Sequence, residues 1–200
     1  MNLYIIRHGN TYWNTLGKIQ GSTDIGLNEK GIQEAILLRE KTKHLPIDAF
    51  ISSPLQRAIR TTQIVNIAGQ PLVIDNNLTE LHFGAWEGMT WDNVEIEYKT
   101  YLTQNTTHGY ANPPQGESYE EAYARISAVT NKITNMPYNN IAIITHRAVI
   151  RFMIAHLLKD SLENINTFQL PNTAIIKMSN EEEENVNCKV RNEKLWKFLD

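Results

Sequence analysis

Short apolar runs alternate with amphipathic stretches along most of this chain, which limits it to folds in which helices cover a largely parallel sheet. Leu3 to Ile6 is an apolar run that stops abruptly at Arg7-His8-Gly9 and reads as a buried strand. Asn28 to His44 then reads as a helix, with Asn28 at the N-cap and Ile32, Ala35, Ile36 and Leu38 at helical spacing. Ala49 to Ser52 is a second strand, and it leads into Ser53-Pro54-Leu55-Gln56. There a Ser cap, a Pro at the first helical position and a Gln three residues after the Ser predict a helix start. Leu55, Ala58, Ile59, Thr62 and Val65 mark one face of that helix.

Pro71 to Ile74 is a third strand. The most strongly marked helix runs from Ser118 to Met136, where Ser118 and Glu121 form a capping box and apolar residues recur every three or four positions. Asn140 to Ile144 is a near-continuous apolar strand ending at Thr145-His146, and a helix follows from Ala148 to Leu158. Ala174 to Ser179 and Val186 to Arg191 read as a closing strand pair around a solvated turn, Glu181 to Glu184. Asn105 to Gln115, rich in Asn, Thr, Gly and Pro, reads as an irregular loop. No repeat or linker divides the chain, so one domain is expected over residues 1–200. The fold class that follows is α/β, a three-layer α/β/α sandwich with a mostly parallel central sheet.

Composition narrows the function classes. A formal net charge of -3 and a pI near 6.1 offer no basic surface for nucleic acid, although a few local arginines suffice for one phosphate group. The single cysteine, Cys188, excludes an internal disulfide and reads as a free thiol. No apolar run is long enough for a signal peptide or a membrane span, so no membrane partner and a cytoplasmic setting are expected. Apolar stripes cannot be assigned to core or interface from sequence, which leaves a homodimer open.

In sheets of this kind ligands bind beyond the carboxyl ends of the strands. His8 follows the first strand with Arg7 beside it, Arg57 opens the helix after the second, and His146 follows the strand from Asn140. A parallel sheet lets these four converge, and two arginines there would suit a phosphoryl group, whose oxygens match the planar guanidinium fork. Fixed cations disfavour protonation of an imidazole, so His8 is expected to stay neutral and able to attack phosphorus. Glu80 is the candidate to protonate the departing oxygen, given burial that keeps its proton on. Each residue alone also has an ordinary structural role open to it; Trp86 and Trp91 are read as packing residues. No histidine pair has metal-motif spacing.

Arg7-His8-Gly9-Asn10-Thr11 resembles the Arg-His-Gly signature of the histidine phosphatase superfamily, which includes cofactor-dependent phosphoglycerate mutases. Further blocks resemble the family in the same order: Trp13-Asn14, Gln20-Gly21, Leu27 to Gly31, Ser52 to Ala58, Leu78-Thr79-Glu80, Phe83 to Gly88, Gly116-Glu117-Ser118 and Thr145-His146. The resemblance covers Leu3 to about Arg151. It implies that His8 becomes phosphohistidine and that Glu80 is the general acid, later the base. It further implies that Arg7, Arg57 and His146 form the phosphate pocket, that Asn14 contacts phosphate or substrate, and that Gln20 and Gly21 wall the entrance. Neither a metal nor another cofactor is implied, because the cationic pocket neutralises charge.

Two positions depart from the family pattern. Asn10 stands where Glu or Gln is usual, shortening a polar contact beside His8. Arg147-Ala148 stands where small residues are usual, and Arg147 either points away or enters the cleft to grip an acidic substrate. The Phe83 to Gly88 block looks more like phosphatase branches, including α-ribazole phosphatases, than like glycolytic mutases. The expected function is hydrolysis of a small phosphorylated metabolite. The alternatives are mutase-type phosphotransfer, which needs a bisphosphate primer, and a phospholigand-binding protein without turnover.

Overall fold

The apolar run at residues 3–6 becomes the middle of β1 (Asn2–Arg7), buried on both faces as a central strand must be. The structure, a computed structural model, describes residues 1–165, 169–179, 189–191 and 194–199. After β1 come α1 (Tyr12–Thr15), α2 (Glu29–Thr42), β2 (Ala49–Ser52), α3 (Gln56–Val65) and β3 (Leu72–Ile74). The middle of the chain carries α4 (Trp91–Glu97), α5 (Lys99–Gln104) and a small hairpin of β4 (Thr106–Thr107) and β5 (Tyr110–Ala111). Then follow α6 (Tyr119–Thr134), β6 (Asn140–Thr145), α7 (Arg147–Leu158) and α8 (Leu162–Ile165). The last strands are β7 (Ile175–Ser179), β8 (Lys189–Arg191) and β9 (Lys194–Leu199).

The main sheet has the order β3-β2-β6-β1-β7-β9-β8. Its first four strands are parallel, β7 is antiparallel to β1, and β9 and β8 each reverse again. Five of the seven strands therefore point the same way, so the sheet is mostly parallel. Alternate side chains serve two cores. Leu3, Ile5, Ile51, Ile141 and Ile143 pack with α6, α7 and α8, while Tyr4, Ile6, Phe50, Ala142 and Ile144 pack with α2 and α3. That makes three layers. Among the described residues no helix is long and apolar enough to cross a membrane.

The register brings three strand ends level. Arg7 lies opposite Thr145 and Ser52 opposite Ile144. Two backbone bonds carry the ladder one residue further, from His8 N to Thr145 O at 3.0 Å and from Ser53 N to Ile144 O at 3.0 Å. His8, Ser53 and His146 thus leave the sheet side by side.

Several expectations need correction. The helix after β2 begins at Gln56, and its N-cap Leu55 makes no side-chain cap. Ser53 is instead buried, its hydroxyl 2.7 Å from His146 Nε2 and accepting from Leu55 N at 3.3 Å, so it ties the sheet edge to the residue before the helix and does not cap the helix's first turn. The residues at 175–179 pair with β1 and β9, whereas among the described residues β8 pairs with β9 alone. The expected closing pair is therefore three strands. Residues 186–188, Cys188 and the Glu181 to Glu184 turn lie outside the described residues. The expected loop at 105–115 contains the β4-β5 hairpin. The capping box at Ser118 forms as expected, with Glu121 Oε2 accepting from Ser118 N at 2.8 Å.

The start of α2 lies hard against the loop that follows β1. A Cβ on Gly31 would stand 2.0 Å from Asn10 O, and one on Gly9 would stand 2.6 Å from Gly31 O. Helix propensity alone favours Ala over Gly by up to ~1 kcal/mol. Backbone atoms cannot move aside, so Gly31→Ala is expected to destabilise by about 1–3 kcal/mol instead. Urea unfolding of that variant decides the sign, and a stabilised protein would show that the loop yields.

Candidate active site

His8 is fixed before its ring is considered. Its N–H donates to Thr145 O, and its carbonyl accepts from Asn172 Nδ2 at 3.0 Å. Gly9 N donates to Thr61 Oγ1 at 3.1 Å, and the Thr61 hydroxyl donates to Arg57 O at 2.7 Å. The His8 ring sits with Nδ1 2.7 Å from Gly9 O. A carbonyl only accepts, so Nδ1 carries the proton and Nε2 keeps its lone pair. Burial drives the imidazole well below its ordinary pKa, and Arg57 and Arg7 push it further the same way. The ring is neutral.

Arg57 is completely buried and held from three directions. It donates from Nη2 to Gly21 O at 2.7 Å, from Nη1 to Thr23 O at 2.8 Å and from Nε to His146 Nδ1 at 3.3 Å. A guanidinium cannot accept, so His146 Nδ1 is the acceptor and Nε2–H donates to Ser53 Oγ. Burial first, then Arg57 and His8, keep His146 neutral too. The two imidazoles lie 5.1 Å apart at 58°. Arg7 donates from Nη1 to Leu170 O, while its buried Nε has no partner among the described residues. Burial and then Arg147 lower its pKa to about 9, which leaves it a cation at neutral pH. Glu80 accepts from Leu81 N at 3.2 Å and Ala148 N at 3.5 Å. Burial raises its carboxyl above the ordinary range, although Arg57 opposes this.

A cleft of about 290 Å³ joins Arg7, His8, Asn14, Gln20, Gly21, Arg57, Glu80 and Arg147. His146 stands behind it, fully buried with both ring nitrogens occupied, so its contact is with Arg57 and Ser53 rather than with the cleft. Asn10 is also turned away: its Oδ1 accepts from Asn28 Nδ2 at 2.9 Å and Thr15 Oγ1 at 3.0 Å, tying α1 to α2. Trp86 is a buried packing residue, and Trp91 packs edge-on against it while also lining the cleft. A larger hollow, about 650 Å³, opens at the other end of the sheet beside Met1, Tyr123 and His156. It holds none of the expected site residues.

Two contributors carried no expected role. Glu87 accepts from Ser22 N at 2.9 Å, Thr23 N at 3.1 Å, Phe83 N at 3.0 Å and the hydroxyls of Ser22 and Thr23. That strap holds residues 21–23, whose carbonyls orient Arg57. Gly21 has φ +55, and a Cβ there would stand 2.2 Å from Glu87 Oε1. The other is Asn172, which also donates to Asn14 Oδ1 at 3.2 Å. Glu87 belongs to the block from Phe83 to Gly88, but Asn172 has only a Pro-Asn-Thr turn signal.

Residues 3–193 match the model of the Histidine phosphatase superfamily (branch 1), and the chain belongs to that superfamily. It is 31% identical over 163 residues to a "Probable phosphoglycerate mutase GpmB" of Erwinia tasmaniensis, covering 79% of this chain and 75% of that protein. Among solved structures, phosphoserine phosphatase of Entamoeba histolytica, a mutant in complex with phosphoserine, is similar at TM-score 0.77 and 32% identity. That likeness covers 90% of this chain and 91% of the other. The alpha-ribazole phosphatase of Shigella flexneri shares the fold at TM-score 0.81 and 24% identity, over 100% of this chain and 96% of the other. The superfamily and these neighbours mark an enzyme of the phosphatase type.

Stability should report the neutral histidines. Both have native pKa values below the unfolded value near 6.5, so their contribution is complete above pH ~6.5 and is lost as pH falls. Each can add a slope of up to about 1.4 kcal/mol per pH unit. Glu80, shifted upward, opposes this between the unfolded carboxylate value and its native one. Urea midpoints from pH 7.5 to 5 should therefore fall, and fall less steeply in His8→Ala. Equal slopes would mean that His8 is not held neutral.

Proposed function

We propose that the protein is a phosphomonoesterase that hydrolyses a small phosphorylated metabolite through a phosphohistidine at His8. The observation that carries this reading is the neutral His8 ring, with Nδ1 bound to Gly9 O and Nε2 left free beside Arg7 and Arg57. In the first step Nε2 attacks phosphorus while the ester P–O bond breaks. Glu80 gives its proton to the departing oxygen, and the alcohol leaves. In the second step the Glu80 carboxylate takes a proton from water, whose oxygen attacks phosphorus as the P–N bond breaks. Inorganic phosphate leaves, and His8 and Glu80 return to their starting states. Arg7, whose buried Nε has no partner among the described residues, and Arg57 stabilise the charge on the transferring group, so no metal is required. His146 supports this by holding Arg57, and Asn14, Gln20 and Gly21 line the way in.

Phosphoserine in the E. histolytica complex is a substrate of the proposed size. The name of the Erwinia relative favours a second reading, mutase-type transfer, which would require a bisphosphate primer and release little phosphate.

Glu80→Gln separates the steps. With EDTA present, wild type should release phosphate from alkyl and aryl monoesters alike. The variant should lose about 10²–10⁴-fold on alkyl esters, whose poor leaving group needs the proton, and far less on p-nitrophenyl phosphate. Equal losses would remove Glu80 as the acid, and primer-dependent turnover without release would favour the mutase.

A further inference from the structure

The Gly116-Glu117-Ser118 block lies outside the described lining of the cleft. Ser118 caps α6, which leaves the Glu117 side chain to explain. Its carboxylate meets the guanidinium fork of Arg125 on α6, with Oε1 2.7 Å from Nε and Oε2 2.7 Å from Nη2. The Arg125 and Glu117 side chains are only 21% and 14% exposed, so this is a largely desolvated, two-bond pair and not a loose surface one. The third nitrogen of Arg125 leaves the pair. Nη1 donates to Asn77 O at 2.6 Å and to Thr79 O at 3.1 Å.

Those two carbonyls belong to the segment that delivers Glu80. One 3-10 turn, Asn76–Leu78, ends just before it, and residues 79–83 form neither helix nor strand. A segment without a ladder of its own depends on donors from elsewhere. Thr145 Oγ1 donates to Leu78 O at 2.8 Å, and Glu117 N donates to His82 O at 2.8 Å. Arg125 and Glu117 together therefore hold carbonyls on both sides of Glu80. Thr79 O matters most, because its peptide plane ends at the Glu80 Cα and sets the direction in which that side chain departs. The Glu80 carboxyl is weakly tethered by comparison. It accepts from its own neighbour Leu81 N at 3.2 Å and from Ala148 N at 3.5 Å, the second at the limit of a useful bond. Arg125 stands outside the described cleft lining, so its hydrogen bonds reach the chemistry through this backbone.

We propose that Arg125, locked by Glu117, is a positioning residue for Glu80 and keeps its carboxyl within reach of the departing oxygen. This role rests on Glu80 being the acid of the phosphomonoesterase reading. A general acid works at hydrogen-bond distance, and a misplacement of about 1 Å can cost about 10²-fold. That cost falls on the step that needs the proton. A pair that merely stabilised the fold would lower all turnover alike.

The test compares phenyl phosphate with p-nitrophenyl phosphate, which share a ring but differ in the basicity of the departing oxygen. In Arg125→Ala, kcat on phenyl phosphate should fall at least about tenfold, and on p-nitrophenyl phosphate less than about threefold. Glu117→Gln, which keeps the side-chain length and one acceptor oxygen, should show the same selectivity at smaller size. Adding Glu80→Gln to Arg125→Ala should cost far less than it costs wild type, because the acid is already misplaced. Inorganic phosphate, titrated calorimetrically, should bind Arg125→Ala within about threefold of wild type, a result that general disruption of the site would not give. Equal losses on the two esters, additive losses in the double variant, or phosphate binding that falls in step with turnover would overturn the positioning role. Glu80→Gln by itself separates this failure from that of the acid. If it loses equally on both esters, the acid assignment fails and the positioning role with it. If its loss is selective and that of Arg125→Ala is not, the positioning role alone falls.

Discussion

Burial beside two guanidinium groups keeps the imidazole of His8 uncharged, and much of the surrounding architecture serves to maintain that arrangement. Arg7 and Arg57 remain cations while desolvated, a costly condition that requires carbonyl partners. Leu170 O, Gly21 O and Thr23 O supply them. These carbonyls come from loops far apart in sequence, so the loops themselves must be held. Glu87 straps residues 21–23, while Asn172 and Thr173 bind the backbone at residues 7–8. Thr61 ties the loop after β1 to α3.

The same requirement explains the crowding around the glycines. The cluster forms only if the first turn of α2 can press against the residues after His8, and this leaves no room for a Cβ at Gly9 or Gly31. Asn10 completes the seam by binding Asn28, the α2 cap, and Thr15 of α1. A residue expected to sit beside the reacting ring thus acts as a tie between helices. His146 follows a similar logic, since with both nitrogens engaged it transmits the position of Ser53 to Arg57.

Much of the fold was legible because strands buried on both faces read as unbroken apolar runs, as residues 3–6 and 140–144 do. The helix caps at Asn28 and Ser118 were legible because their bonds are local. The cap expected at Ser53 failed for the opposite reason. Its hydroxyl is claimed by His146, 93 residues away, and no local pattern reports such a partner. Glu87 and Asn172 were silent in the same way, with partners 65 and 164 residues distant. The short helices α4 and α5 bury too few side chains to show a period: Val94 alone is buried in α4, and no residue is in α5. The expected site residues were found through spacing and resemblance, but which of them face the cleft and which stand behind it depends on these distant bonds.

The most direct test of the central claim is to trap the covalent intermediate. Wild-type protein mixed with a phosphomonoester and quenched in base within the first turnover should carry one acid-labile phosphoryl group, located at His8 by peptide mass spectrometry. Its formation should precede phosphate release. Phosphate released with no such adduct, or with an adduct on another residue, would contradict the account.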